Sequence, residues 1–296
     1  MTSTLRSCLY AVSFAASLVA CRAKPTAIDN SSVPTPSASP SGSSDSPSSK
    51  LARAPLIADA AVQAALDPDH LAPYSGPIGR ISGVIHVSGD PAPERPDVLA
   101  QIPHGKCDDA RAFYGKVFRE GPGRELGDAL VTVTNYKGFV APVRHLRTVV
   151  ARGCAFDART VALTFGERLE VKNKGGETFI PQLIGGSPGA LLVAVPGGDA
   201  VPLFPEHVGL YALVDRSHPF ARADVFVLKF PTFAITGIDG KYEIDDIPAG
   251  DVVVSAYLPT IRKTAQANVK VVSGETATVD LTIPFASTAA PASSSH

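Results

Sequence analysis

The chain has 296 residues, enough for one large domain or two small ones. Its 27 basic and 28 acidic residues give a formal net charge of -1, which excludes the bulk positive charge that electrostatic binding of nucleic acid requires. The 26 prolines and 25 glycines, with no tryptophan, favour many short strands joined by turns.

The N-terminus predicts an exported protein. Residues 1–20 have the form of a secretory signal, in which Arg6 precedes a short apolar stretch, and no later apolar run is long enough for a transmembrane helix. The stretch closes on Leu-Val-Ala-Cys at Cys21, which resembles the lipobox of bacterial lipoproteins. That resemblance implies cleavage before Cys21 and acylation of its thiol. In enterobacterial lipoproteins, an aspartate after the acylated cysteine favours retention in the inner membrane. Arg22 stands at that position here, so the outer membrane is the expected location. An ordinary signal cleaved nearby and a short anchoring helix are the alternatives.

Two segments are predicted to be disordered, because their composition buries too little apolar surface to offset the entropy lost on ordering. Residues 21–54 are rich in Ser, Pro, Ala and Thr and are expected to form a tether behind the lipid anchor. Residues 286–296 are expected to form a second disordered segment, a C-terminal tail.

One helix is predicted within residues 55–77, a short helix with a lead-in to the folded body. Leu56, Ala60 and Ala64, with Leu66 as a further candidate, share the side that is expected to pack, and Asp67-Pro68 ends the helical pattern. No later stretch carries a long helical period.

Short alternating segments fill the chain from residue 78 to residue 285 and predict an all-β fold. Asp239-Gly240 is a signal for a hairpin turn, and residues 90–127 are expected to form a long irregular loop. The predicted strands are residues 81–89, 128–135, 146–151, 161–165, 168–173, 190–195, 209–215, 224–230, 241–245, 251–257, 267–272 and 276–283.

Two stretches resemble the cupredoxin-like lipoproteins. Residues 214–221 read V-D-R-S-H-P-F-A, where that family has C-D-x-H-P-W-M leading into a strand. Residues 153–173 follow the family pattern G-C-x-F-x-P-x-V-x-x-x-x-x-G-x-x-L-x-I-x-N at most positions. The resemblance implies a cupredoxin-like Greek-key β-sandwich in residues 146–232.

A third stretch, residues 236–257, reads T-G-I-D-G-K-Y-E-I-D-D-I-P-A-G-D-V-V-V-S-A-Y and resembles the carboxypeptidase regulatory-like (prealbumin-like) domain. That resemblance implies a smaller prealbumin-like β-sandwich. Its first strands and a long loop are assigned to residues 78–145, and its remainder to residues 233–285. The cupredoxin-like sandwich would then be packed against this module or inserted into it.

The copper ligands of the cupredoxin-like family are mostly replaced. A blue-copper centre needs two imidazoles and a thiolate, usually with an axial thioether. His218 stands at the second histidine, but Phe179 stands at the first, Ala221 replaces the axial Met, and the thiol position falls at or next to Val214. We therefore expect a vestigial position at His218, filled by Phe179, Val214 and Phe220, and no cofactor, with bound copper as the alternative.

The sequence gives weaker support to a second possible metal site. Glu206, His207 and His218 could meet in space as a weak zinc or copper site, but histidines scattered over loops and surface are the preferred interpretation.

The resemblance also implies a disulfide. Cys107 and Cys154 match cysteines that the family carries outside the copper site, and an exported protein meets oxidising conditions. We expect a Cys107–Cys154 bridge, with two buried thiols as the alternative.

No catalytic constellation is predicted. Gly185 to Gly189 matches G-x-S-x-G around Ser187, but Pro188 has no backbone N–H to donate to an oxyanion. Asp215, Ser217 and His218 are the residue types of a triad, but neighbouring residues of a strand point in alternate directions. The protein is therefore not expected to be an enzyme.

The expected function is that of a lipid-anchored cell-envelope protein with a binding or structural role. Its expected partners are the membrane, through the lipid anchor, and an envelope protein or polysaccharide, with no nucleic acid. The alternative is a periplasm-facing metal-handling or electron-transfer protein with a rearranged site around His218.

Overall fold

The computed structural model describes residues 57–143, 145–187 and 190–287, which lie in one compact unit. The predicted signal peptide, the lipidation site Cys21, the tether and all but the first residues of the predicted tail lie outside the described residues. Within the described ranges, no helix has the length and apolar character that crossing a bilayer requires.

The described residues contain three helices: α1 (Asp59–Leu66), α2 (Pro96–Leu99) and α3 (Asp108–Tyr114). The predicted N-terminal helix is α1, and the chain leaves it at Asp67. Its predicted packing face was wrong at Ala60 and Ala64, which are exposed; Leu66 is buried as expected, and Val62 is buried with it. The branched side chains, one turn apart, remove more apolar surface from water than the two alanines would.

Sixteen strands are found in the part of the chain that the structure describes. They are β1 (Ile78–Gly89), β2 (Leu130–Thr134), β3 (Leu146–Arg152), β4 (Ala155–Phe156), β5 (Thr160–Thr164), β6 (Arg168–Asn173), β7 (Pro181–Ile184), β8 (Val201–Leu203), β9 (Gly209–Asp215), β10 (Arg222–Leu228), β11 (Phe233–Ile235), β12 (Lys241–Pro248), β13 (Gly250–Leu258), β14 (Lys263–Val271), β15 (Thr276–Thr278) and β16 (Leu281–Phe285). The all-β prediction is confirmed.

The first sandwich consists of two four-stranded sheets, with strand orders β5-β10-β9-β7 and β4-β3-β6-β8. Strands β5 and β10 are parallel, as are β3 and β6, while β9 pairs antiparallel with both of its neighbours. Alternate residues of β10, namely Ala223, Val225 and Val227, point into the core between the sheets. The helix α1 and the segment that contains α2 and α3 also contribute side chains to this core.

The second sandwich has its own core between two further sheets. One has the order β11-β2-β13-β14; in the other, β1 pairs antiparallel with β12 and parallel with β15 and β16. Ile81 and Ile85 of β1 are fully buried, as are Val254 and Ala256 of β13. The predicted boundaries between the two modules stay a prediction, because the described residues form one compact unit.

A tight turn joins β3 to β4 and carries the disulfide. Gly153 and Cys154, the two residues between the paired Arg152 and Ala155, both have positive φ angles of 58° and 62°. Positive φ at both positions is the geometry of a type I′ turn. A Cβ at Gly153 would lie 2.5 Å from Asp109 Oδ2, so this glycine lets α3 approach the turn closely.

The Asp239-Gly240 turn was predicted wrongly as a hairpin. The strand before it, β11, pairs with β2 in one sheet, whereas β12 after it pairs with β1 in the other sheet. The turn therefore carries the chain across the second core. A Cβ at Gly240 would lie 2.5 Å from Ile85 O, and Gly240 O accepts a hydrogen bond from Ile85 N.

The predicted strand at residues 190–195 is also absent. Ala194 forms a single bridge with Phe179, and the neighbouring Leu191, Val193 and Val195 are exposed. An apolar run without a partner strand for its length does not build a ladder. Residues 90–127 are less irregular than predicted, since they contain α2 and α3.

Candidate functional site

The candidate site lies in the loop between β9 and β10, where the sequence placed the vestigial metal position. Val214 pairs with Arg222 at the ends of the two strands. Within the loop, Asp215 N donates to Ala221 O at 3.2 Å, and Ala221 N donates to His218 O at 2.8 Å. These bonds fix the loop and direct His218 into the end of the first sandwich.

Asp215 and His218 form a close pair. The Asp215 side chain has no exposed surface, and the His218 side chain is 13% exposed. Asp215 Oδ2 lies 2.6 Å from His218 Nδ1 and accepts a hydrogen bond of 2.8 Å from His218 N. Asp215 Oδ1 accepts a third hydrogen bond, from Ile180 N.

This contact corrects one sequence prediction. Asp215 and His218 were expected to point apart, but β9 ends at Asp215 and the chain then turns, so strand alternation does not apply. The thiol position was placed at or next to Val214, and Asp215, the residue next to it, is the side chain that reaches the imidazole. Asp215 stands three residues before His218, which is the spacing of cysteine and histidine in C-D-x-H.

Aromatic rings enclose the pair. The centroid of the His218 ring lies 4.9 Å from that of Phe179 and 5.8 Å from that of Phe220. Phe179 is fully buried and contacts Phe156, with centroids 5.9 Å apart. The space beside the imidazole therefore holds hydrocarbon on two sides and a carboxylate on a third.

The donor set does not fit a blue-copper centre. The pair offers one imidazole and one carboxylate, whereas such a centre needs a soft thiolate and a second imidazole. The described residues contain no group of three or more His, Cys, Asp or Glu side chains placed to hold a metal ion. The pair links the β9–β10 loop to Ile180, the residue that precedes β7.

The structure does not bring His207 to His218. They flank opposite ends of β9, which has seven residues, so they are separated by about 20 Å or more. The His207 ring stacks on Tyr211 with centroids 4.9 Å apart. Its two nitrogens lie 3.1 Å from the carbonyl oxygens of Val208 and Gly185. The alternative metal site of Glu206, His207 and His218 is therefore not formed.

Ser187 lies in a turn, as its sequence context predicts. Its backbone N–H donates to Glu206 Oε2 at 2.9 Å, and this hydrogen bond lowers the pKa of the Glu206 carboxyl. Pro188 lies outside the described residues.

The Ser187 turn borders a mainly apolar groove of about 520 Å³ between β7 and β8. These two strands each lie at one edge of a sheet of the first sandwich. Leu183, Leu192 and Phe204 are among the residues that line the groove.

The expected disulfide is confirmed. Cys107 and Cys154 are bonded, with Cα atoms 5.4 Å apart. The bridge attaches the start of α3 to the turn between β3 and β4. Both cysteines are buried in the first core.

Sequence reasoning missed Asp215 as a site residue. The available signal was its spacing to His218, which equals that of the cysteine and histidine in the family motif. It also missed a second cavity lined by arginines, because the residues that form it come from six separate segments of the chain.

No protein-family model and no curated protein matches the chain. Among solved structures, amicyanin from Paracoccus versutus is 18% identical over 33% of this chain and 97% of that chain, with a TM-score of 0.26. A purple cupredoxin from Nitrosopumilus maritimus is 15% identical over 28% of this chain and 99% of that chain, with a TM-score of 0.26. A copper-containing nitrite reductase from Thermus scotoductus is 16% identical over 33% of this chain and 25% of that chain, with a TM-score of 0.25. Similarities at these scores carry no argument about function.

Proposed function

We propose that the protein is a lipid-anchored component of the bacterial cell envelope with a non-catalytic binding or structural role. Its first sandwich would be a cupredoxin-like fold that has lost its copper site, and its second a prealbumin-like module. The observation that carries this proposal is the Asp215–His218 pair, with Asp215 at the thiolate position and Phe179 at the first imidazole position.

The chemistry of the replacements supports loss of electron transfer. A thiolate selects copper and tunes its redox potential, and a carboxylate, which suits harder cations, does neither. Phe179 has no donor atom at all. The Asp215 carboxylate is already hydrogen-bonded to two backbone N–H groups as well as facing the imidazole, so its oxygens are committed to the protein.

The cellular location rests on the N-terminal sequence. The Leu-Val-Ala-Cys motif at Cys21 supports acylation, and the Ser/Pro-rich residues 21–54 support a tether between lipid and sandwich. The Cys107–Cys154 disulfide supports an oxidising compartment outside the cytoplasm. Several acyl chains together, each contributing about 0.8 kcal/mol per buried CH2, would anchor the protein firmly.

Copper titration tests the loss of the metal site. We expect the wild-type chain to retain no stoichiometric copper after gel filtration and to show no intense visible absorption band. The variant Phe179→His/Asp215→Cys/Ala221→Met restores the family's donors at three positions and is expected to gain such a band. Stoichiometric copper retention by the wild-type chain would instead support the alternative, a metal-handling protein centred on His218. The wild-type result decides between these functions even where the triple variant fails to fold.

Lipid anchoring is tested by Cys21→Ala. In bacterial cells fed radiolabelled palmitate, we expect the wild-type protein to carry label and to fractionate with the outer membrane. The Cys21→Ala variant should carry no label. Equal fractionation of the two proteins with the membrane would refute acylation as the anchor.

A further inference from the structure

A cavity of about 610 Å³ lies on the outer face of the first sandwich, where the second sandwich meets it. Its floor includes the outward side chains of β10, and the turn between β13 and β14 forms one wall. The segment around α2 forms another wall, and the β9–β10 loop supplies Phe220 at the rim. A volume of this size, between about 300 and 1,000 Å³, is typical of sites for small molecules.

The charged residues that line this cavity are unbalanced. Four are arginines and two are aspartates: Arg95, Arg159, Arg222, Arg262, Asp97 and Asp224. Each aspartate has one arginine near it, Asp97 at 3.8 Å from Arg95 and Asp224 at 3.6 Å from Arg222. The lining therefore holds two more arginines than aspartates, and Asp128, outside the lining, also acts on the charge of Arg159.

Arg159 is unusual among these four because it is buried, with 5% of its surface exposed. Its guanidinium donates to the backbone oxygens of Lys116 at 3.0 Å and Val117 at 3.2 Å, and to that of Phe113. Its Nε is buried and has no hydrogen-bond partner among the described residues. Burial lowers the pKa of Arg159 to about 10, so the group keeps its charge at neutral pH.

An apolar surface faces the arginines. Phe226 and Tyr257 meet edge to face, with centroids 6.0 Å apart, and both line the cavity together with Pro259. Phe226 comes from β10 and Tyr257 from β13, so the two sandwiches build this surface jointly. The cavity thus joins guanidinium groups to an aromatic wall, which suits a ligand with one charged end and one apolar end.

We propose that this cavity binds a small organic anion that carries a carboxylate or phosphate group on an apolar body. The excess of guanidinium groups would receive the oxyanion, because the planar fork of arginine matches carboxylate and phosphate geometry. Phe226 and Tyr257 would contact the body. This inference does not depend on the copper proposal, since none of its four arginines contacts the Asp215–His218 pair in the structure.

Calorimetric titration of the purified full chain tests the proposal. Phenyl phosphate and benzoate serve as probes of the two oxyanions, and benzamide serves as a neutral probe of similar shape. We expect at least one anion to bind with a Kd below about 1 mM, and benzamide to bind at least about tenfold more weakly. Binding is also expected to weaken as salt is raised.

The matched variants are Arg222→Gln/Arg262→Gln and, as control, Arg152→Gln. Both arginines of the double variant are exposed at the cavity, whereas Arg152 is exposed at the end of β3 in the other sheet. We expect the double variant to lose at least about tenfold in affinity and the control to be unchanged. The proposal is overturned where neither anion binds the wild-type chain, or where the double variant and the control bind alike. Preference for one anion identifies which oxyanion the cavity takes.

Discussion

The β9–β10 loop borders two polar sites of opposite character. At its start, the Asp215 carboxylate is buried and accepts hydrogen bonds from Ile180 N and His218 N. At its end, Arg222 faces an open cavity in which arginines outnumber aspartates by two. The first site contains a carboxylate and an imidazole enclosed by Phe179 and Phe220. The second has more arginines than aspartates in its lining.

This difference separates a structural role from a binding role. A buried polar group whose partners all belong to the protein contributes to the native state and has little left to offer a ligand. An exposed excess of guanidinium groups contributes little to folding and keeps its donors available. Substitutions at the closed pair should therefore change stability, and substitutions at the cavity should change binding.

The largest expected effect is at the closed pair. Asp215→Ala leaves the backbone N–H groups of Ile180 and His218 without their acceptor and isolates a buried imidazole. We expect a loss of about 3–5 kcal/mol in the free energy of unfolding, measured by urea denaturation. Asp215→Asn keeps one acceptor oxygen and should lose about 2 kcal/mol.

Asp199→Ala is the control for this comparison. Asp199 is an exposed aspartate of the same sandwich, and its removal should change the free energy of unfolding by less than about 0.5 kcal/mol. If Asp215→Ala proved as mild as this control, the pair would not be a stabilising element and the contrast between the two sites would disappear.

The disulfide is expected to have the next largest effect, and it also acts on the cavity. It closes a loop of 47 residues, for which the loop-entropy model gives about 4 kcal/mol as an upper value. The bridge holds the start of α3, and the residue before the end of α3, Phe113, supplies one of the carbonyl oxygens bound by Arg159. Cys107→Ala/Cys154→Ala should therefore lower stability by about 2–4 kcal/mol and also weaken anion binding.

Mass spectrometry after alkylation checks the bridge directly. Unreduced wild-type protein should add no label at Cys107 or Cys154, and reduced protein should add two. A double variant that lost stability but bound the anionic probes with unchanged affinity would show that α3 does not support the cavity.

The all-β class was predictable from the sequence because period-two alternation and turn residues recur at short intervals. β9 and β6 have a partner along their whole length, and their predicted first and last residues match the observed ones. The run at residues 190–195 has the composition of a strand but gains only one bridge. Pairing is a property of the fold, so composition alone could not reveal that Ala194 finds a partner and Leu191 does not.

The candidate site was predictable only in part. The positions of Phe179 and His218 follow from motif alignment, whereas the contact of Asp215 with His218 depends on where β9 ends and the chain turns. The arginine cavity has no local signal at all. Arg159 and Arg262 are 103 positions apart in the sequence, and only the docking of the two sandwiches brings them to one cavity.

The smallest expected effect concerns Asp224, the aspartate on the floor of the cavity. Burial raises the pKa of its carboxyl, and this outweighs the opposing effect of Arg222. A pKa that is higher in the folded state means that this group favours folding below pH 3.8, and that the contribution is lost as pH rises through the raised value. At pH 7 the folded protein therefore bears the cost of a partly buried carboxylate.

Asp224→Asn removes that cost and one of the two negative charges in the cavity. We expect the variant to be more stable than the wild type at pH 7. The gain should be less than about 1 kcal/mol, because solvent screens a partly exposed group. It should shrink toward pH 4, where the wild-type carboxyl becomes protonated. Thermal unfolding at the two pH values measures this, and Asp199→Asn provides an exposed control.

Asp224→Asn should also bind the anionic probes more tightly than the wild type, since it increases the excess of positive charge in the cavity. A variant that gained stability without gaining affinity would show that the arginines of the cavity do not act on the anion through their charge.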